Sequence, residues 1–475
     1  MKTRYERKSM LKRVTKSNPM VPEGVRIADA SFPLPFPRTL EYNAPAHGTW
    51  NIVHIGMAVP ESHSIYVCSD NCLRGVVMTA AEMGCSDRFH SVTIQERDVQ
   101  VDNLETITIE GVSDVIAHLP DKPPVVFVFL VCLHIFTGSD EAYIFRELGK
   151  RWPQIRFVKG YMDCIRQKEG PSPDMKLRMA EFTIIEPLPL KPERVNILGG
   201  DVPFEKDSEL VTLLSSRGYD VRQITDCSTF EQFLALGDAA VNLCTYPNGQ
   251  DALRNLSERT GSRYLYLSAA VSYGEIRSQL QSLSEACGFD PVPEAWIIEQ
   301  EEACEESLRH LAHVLDGQVV VIDYTAHSRP LGIARLLIEH GIRVECVLLD
   351  IILDEEEEAF SWLKMHCPGL MMVATVHPQM ALFGRGREIL EEGPDGISRD
   401  VIAIGQKAAW FCQTGHFVNM IEGGGLWGYQ GIQKLCGLIE EACARELDYR
   451  EIIPRKGMGW PSLCAVPGSE QSGCR

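Results

Sequence analysis

Two cysteines four residues apart, Cys68 and Cys72 in IYVCSDNCLRGVV (65–77), carry the clearest chemistry in the sequence. An apolar, β-branched run ends on Cys68, and Cys72 stands where a helical pattern begins. Three more cysteines close apolar runs: Cys132 after PPVVFVFLV, Cys164 after IRFVKGYMD and Cys244 after AAVNL. In open parallel sheets, ligands bind outside the carboxyl ends of the strands. The first turn of a helix favours negative charge. Thiolates gathered at such places suit an iron–sulfur cluster. The competing reading makes each cysteine a small buried hydrophobe, the usual fate of an unbridged thiol. Spacing alone leaves both readings open.

The elements that would position these thiols follow from hydrophobic periodicity. Strands are expected at WNIVHIG (50–56), HSIYVC (63–68), FHSVTI (89–94), PPVVFVFLVC (123–132) and IRFVKGYMD (155–163), with helices at 71–84, 103–119 and 138–151 between them. A Pro-rich stretch, EPLPLKPE (186–193), reads as a linker. A second alternating block runs from RVNILGG (194–200) through AAVNLC (239–244) and RYLYLS (263–268) to a break at GFDPVPE (288–294). A third contains QVVVID (318–323), RVECVLL (343–349), LMMVATV (370–376) and a strong helical pattern from GYQG onward. The acidic run DEEEEAF (354–360) fits the first turn of a helix, where the dipole favours carboxylates.

This alternation predicts an α/β fold of three Rossmann-like domains with parallel sheets. The expected bounds are an N-terminal arm at 1–44, domains at 45–188, 189–292 and 293–460, and a flexible tail at 461–475. A length of 475 residues agrees, at about 150 residues per domain.

Composition narrows the function. The net charge of −19 argues against nucleic acid as a partner, since phosphate binding relies on basic surface. The longest apolar run, PPVVFVFLVCLHIF (123–136), is too short to span a bilayer. The basic start, MKTRYERKSMLKRVTKS, lacks the apolar run of a secretory signal. A cytoplasmic protein without a membrane segment is expected, and in that reducing compartment the 16 cysteines are not a disulfide framework. No paired CxxC zinc pattern occurs.

Other candidates carry alternatives. His47, His54 and His63 lie near the cysteine region, and a histidine beside a strand is more often a packed residue than a ligand. ILGGD (197–201) and IEGGGLWG (421–428) are Gly-rich, but neither is a GxGxxG fingerprint or a P-loop. Gly424 and Gly425 are candidates for close backbone approach to a cofactor between domains, or for turns and tight packing.

Several longer segments resemble the nitrogenase component 1 family. FHSVTIQERDVQVDNLETI, then a helix, a strand and VCLHIFTGSDEAYIF, resembles an acidic-hydrophobic segment followed by a cluster cysteine. NLCTYPNGQDALRNLSERTGSRYLYLS (242–268) resembles the middle domain, and GGGLWGYQGIQKL (423–435) a helix start near the carboxyl terminus. The resemblance implies three α/β domains and an iron–sulfur cluster, of 4Fe–4S type, held by first-domain cysteines at a subunit interface. It implies a homologous component 1-type partner subunit, in a homo- or hetero-oligomer. It also implies electrons from a separate ATP-dependent iron protein. Cys132 falls on the family's third cluster cysteine. The usual HGPxGC motif is not intact: HGTWN stands there and Cys68 follows later, so Cys72 and Cys85 compete for the remaining ligand place. The cysteine that holds the catalytic cofactor of nitrogenase proper matches Leu253, and its histidine aligns near Val418, two residues from His416. The resemblance therefore implies an iron–sulfur reductase subunit that does not reduce dinitrogen, with a cofactor-assembly scaffold or a non-redox binding protein as alternatives.

Overall fold

The computed structural model describes residues 24–36, 52–101, 103–162, 171–377, 380 and 401–453. The basic start, His47, Cys164 and the tail at 461–475 lie outside the described residues.

Fourteen strands, numbered in chain order, form three sheets. The first sheet contains β2 (His63–Cys68), β3 (Phe89–Thr93), β4 (Val125–Val131) and β5 (Arg156–Met162) in the order β3-β2-β4-β5. The second contains β6 (Lys191–Leu198), β7 (Asp220–Gln223), β8 (Ala239–Cys244) and β9 (Arg263–Tyr266) in the order β7-β6-β8-β9. All pairings in both are parallel. The third sheet takes β1 (Val25–Arg26), β10 (Val319–Asp323), β11 (Arg343–Leu348), β12 (Met371–Val373), β13 (Val401–Ile404) and β14 (Phe417–Val418) in the order β1-β12-β11-β10-β13-β14. Only its β1–β12 pair is antiparallel.

The central strands are apolar on both faces because helices cover both faces. All seven residues of β4 are buried. In each sheet the chain order reverses beside its first parallel strand: between β2 and β4, between β6 and β8, and between β10 and β13. Those reversals are where a doubly wound sheet opens a crevice at its carboxyl edge. One hydrophobic core joins the first and second units, and another joins the second and third.

The elements differ from the sequence pattern in several places. WNIVHIG is not a strand: Ile52–Ala58 is a helix with every residue buried. A short segment apolar all round carries no period, so it resembles a buried strand in sequence. The described part of the N-terminal arm packs on the third unit: Val25 pairs with Met372, and Lys364 Nζ donates to the Ala30 carbonyl at 2.8 Å. The Pro-rich stretch at 186–193 already contains the start of β6 at Lys191. A helix not expected from periodicity spans Pro173–Phe182, opened by Ser172, whose hydroxyl accepts the Met175 N–H at 3.3 Å, and by a proline at its first position.

Candidate functional site

Cys68 is the last residue of β2, and Val67 pairs with Leu130 of β4. Cys68 and Cys132 therefore follow one and two residues after that pair, at the first sheet's reversal. Cys72 lies in the first turn of the 13-residue helix Asp70–Glu82, with its Sγ 3.5 Å from the Ser69 hydroxyl. Cys68 is fully buried, and Cys72 and Cys132 are half-buried. Burial, then the neighbouring Cys72 and Asp70, pushes the Cys68 thiol up to about 12. Asp70 is fixed from the next strand by the Thr93 hydroxyl at 3.0 Å.

Cys85 is not brought to this edge. It follows the far end of the helix, which runs back to the amino edge over about 20 Å at 1.5 Å per residue. There the buried Cys85 Sγ accepts the Arg88 Nη2 donor at 3.3 Å. Arg88 also donates to the carbonyls of Met57 and Val59, at 3.0 and 3.1 Å. Cys85 thus belongs to a packing network. Cys244 ends β8 in the second unit, where its Sγ donates to the Tyr246 carbonyl at 3.2 Å and burial pushes its thiol up to about 12. His63 stacks on His90 with ring centroids 5.0 Å apart and a nitrogen–nitrogen hydrogen bond of 2.7 Å. Burial, then His90, lowers His63 to about 4, and burial lowers His90 as well.

Three cysteines thus lie on the elements at the carboxyl edge of one reversal. Among the described residues, however, no three side chains of His, Cys, Asp or Glu form a group that could hold a metal ion.

A second feature lies where the three units meet. Arg178, 2% exposed, comes from the helix Pro173–Phe182 of the first unit. Its Nε donates to Asp174 at 2.8 Å, and its Nη1 and Nη2 donate to the two carboxylate oxygens of Asp201 at 3.0 and 2.7 Å. Asp201 follows β6 of the second unit. The guanidinium lies over the Tyr246 ring at 5.3 Å, and Asn248 Nδ2 donates to Asp174 at 3.0 Å. Glu422, after β14 of the third unit, joins the same charges. Sequence reasoning missed this group because its members are scattered. The spacing 174, 178, 181 does put Asp174, Arg178 and Glu181 on one helix face, which was a readable signal.

The third-unit candidates pack against protein. Gly425 sits at a φ of +69°, and a Cβ there would stand 2.6 Å from the Pro203 carbonyl oxygen. Gly424 also has a left-handed φ, +58°, in the same turn. Gly423 faces His327, which burial and Arg329 lower to about 3 and whose Nδ1 accepts the Arg329 N–H at 3.0 Å. His416 is held by another contact. It directly precedes β14, and its Nδ1 contacts the Ala442 carbonyl at 3.0 Å. Leu253 is fully buried in the helix Gln250–Thr260, and Val418 is buried in β14.

Comparison with known proteins supplies the family. The family model described as nitrogenase component 1 type oxidoreductase matches residues 45–385. No curated protein matches. Among solved structures, "Nitrogenase Cp1 at pH 6.5" superposes with a TM-score of 0.63 at 12% identity, over 86% of this chain and 94% of that one. "Nitrogenase Cp1 at pH 5" gives a TM-score of 0.53 at 13% identity, over 86% and 92%. At such identities the superpositions speak for the fold, and the three parallel-sheet units agree with it. No helix among the described residues is long and apolar enough to cross a membrane. The chain belongs to the nitrogenase component 1 type oxidoreductases.

Proposed function

We propose that this chain is a subunit of a nitrogenase-like reductase that takes electrons from an ATP-dependent iron protein and passes them to a substrate or cofactor. The observation that carries this reading is the meeting of Cys68, Cys72 and Cys132 at one strand-order reversal in a chain of this family. These three would hold an iron–sulfur cluster from this side, and Cys85 would not take part. The cluster, when bound, supplies storage and release of single electrons.

Among the described residues the three thiols do not close a ligand set, and the remaining ligands would come from a homologous second subunit. The surface beside them supports that partner. On the helix Asp70–Glu82, Val77 and Met78 are 42% and 49% exposed, and Phe136, at the end of the short helix begun by Cys132, is 67% exposed. Large apolar side chains grouped in this way mark contact surfaces.

A second catalytic cofactor of the kind nitrogenase proper carries is not part of the proposal. Leu253 and Val418 are buried apolar residues at the two matching positions, and Gly424 and Gly425 turn the chain tightly against the second unit. The experiment is reduction of anaerobically purified protein by an ATP-dependent iron protein and ATP. Bleaching of a visible iron–sulfur absorption on adding ATP is expected. A colourless protein with no ATP-dependent change would overturn the reading.

A further inference from the structure

Cys132 leaves β4 through a turn held by a buried histidine. His134, two residues on, is 1% exposed. Its Nδ1 accepts the Val131 N–H at 3.3 Å, from the residue just before the short helix Cys132–Phe136. Its Nε2 stands 3.0 Å from the hydroxyl of Thr108, on the helix Leu104–His118. That hydroxyl gives its single proton to the Leu104 carbonyl at 2.7 Å, so its oxygen accepts and Nε2 carries the proton of the ring. The bonds therefore run one way: Val131 N–H to Nδ1, Nε2–H to Thr108, Thr108 to Leu104. The same helix face holds the far side of this segment, because the Asp140 N–H donates to Glu105 at 2.9 Å and residues 105 and 108 are neighbours on a helix surface. Residues 131–140 are thus pinned at two points on one neighbour, with Cys132 just inside the first pin.

We propose that His134 is a positioning residue for the Cys132 thiol: it fixes the turn out of β4 and so the place at which that thiol stands on the carboxyl edge. The inference rests on the reading of Cys132 as a cluster ligand. The chain passes directly from strand into helix here, with Val131 still extended and Cys132 already helical. The N–H at that bend is buried and needs an acceptor, which His134 Nδ1 supplies. Without the imidazole the N–H is left unpaired, the turn opens, and Cys132 is the first residue to shift. Cys72 reaches the same edge from a different helix, where its N–H donates to the Ser69 carbonyl at 2.9 Å, so its position does not depend on His134. Residues that orient a ligand without touching the bound group are a common means of tuning such sites.

The test reads thiol reactivity in the full chain after its iron is removed with a chelator. Iodoacetamide labels the native protein, and peptide mass spectrometry follows Cys132 and Cys72 in the same sample. His134→Leu should speed labelling of Cys132 by about tenfold, the worth of one buried hydrogen bond on a local opening equilibrium, and leave Cys72 unchanged. His134→Asn keeps a side-chain oxygen in reach of the Val131 N–H and should return Cys132 to within about twofold of wild type. Thr108→Val keeps the shape of the threonine and removes the acceptor of Nε2–H. It should also speed Cys132 alone, and it decides the matter if His134→Leu does not fold. A Cys132 rate unchanged in the variants that fold would overturn the proposal. So would Cys132 and Cys72 speeding up together, which would make His134 a packing residue of the whole unit. The labelling needs no cluster, so its failure leaves the cluster reading standing, and a wild type without iron leaves the labelling result standing.

Discussion

Cys68 and Cys132 leave neighbouring parallel strands at the point where the order of the first sheet reverses, one and two residues beyond the paired Val67 and Leu130. Nothing in their separation along the chain announces that meeting. The register of β2 against β4 creates it, and Cys72 joins because the next helix begins two residues after the strand ends. By the same geometry Cys85, at the other end of that helix, lies away from this edge.

Cys85→Ala therefore separates the two roles. The substitution should leave iron content unchanged and cost about 1 kcal/mol of stability, because Arg88 loses the sulfur acceptor at 3.3 Å. Iron analysis and a denaturation midpoint on one preparation check both halves. Loss of iron would return Cys85 to the ligand set.

Arg178→Met should be far more damaging than its size change implies. It leaves Asp174 and Asp201 buried against each other without their cation, and breaking such a pair costs about 3–5 kcal/mol. The loss should grow with pH, since the unpaired acids ionise. Urea titrations at two pH values measure it, with an unchanged slope showing that the same surface unfolds.

Glu209 gives a second pH effect at a different contact. Its carboxylate accepts the Gln430 N–H at 2.7 Å, at the start of the helix Gly428–Ala444. Burial raises it to about 7, against the opposing pull of the Gln430 and Tyr429 N–H groups. A carboxyl whose folded pKa lies above its unfolded value of about 4.3 holds its proton more tightly in the native state. Stability from this group is thus greatest below the unfolded value and declines as pH rises to about 7, by up to about 3 kcal/mol. Glu209→Gln should flatten the stability profile over that window. An unchanged profile would contradict the assignment.

Gly428→Ala tests the same contact from the other side. The residue has a φ of +69°, and an added Cβ would run into the Glu209 carboxylate. A loss of at least about 1 kcal/mol is expected, read as a lowered unfolding midpoint.

How much the sequence disclosed depended on whether the pattern was local. β2, β4, β8 and β10 were legible because each is a run of apolar, β-branched residues closed by a polar or turn-forming one. The helix Ile52–Ala58 was misread because total burial erases periodicity. β1 was invisible: two residues long, it is defined by a partner, Met372, at the far end of the chain. The thiol edge was half legible, since the strand ends were read and the register that joins them was not. The Arg178 cluster left only the 174, 178, 181 spacing as a local trace, because its other charges come from the second and third units and Pro173–Phe182 was not recognised as a helix.

The central claim is that Cys68, Cys72 and Cys132 hold an iron–sulfur cluster from this side of a subunit interface. The most direct measurement is iron and acid-labile sulfide, with the visible spectrum, on anaerobically purified protein, in wild type and in Cys132→Ala. Stoichiometric iron and sulfide in wild type, lost in Cys132→Ala while the fold is retained, is the predicted result. Wild-type protein without iron, purified alone and together with a homologous partner subunit, would contradict it.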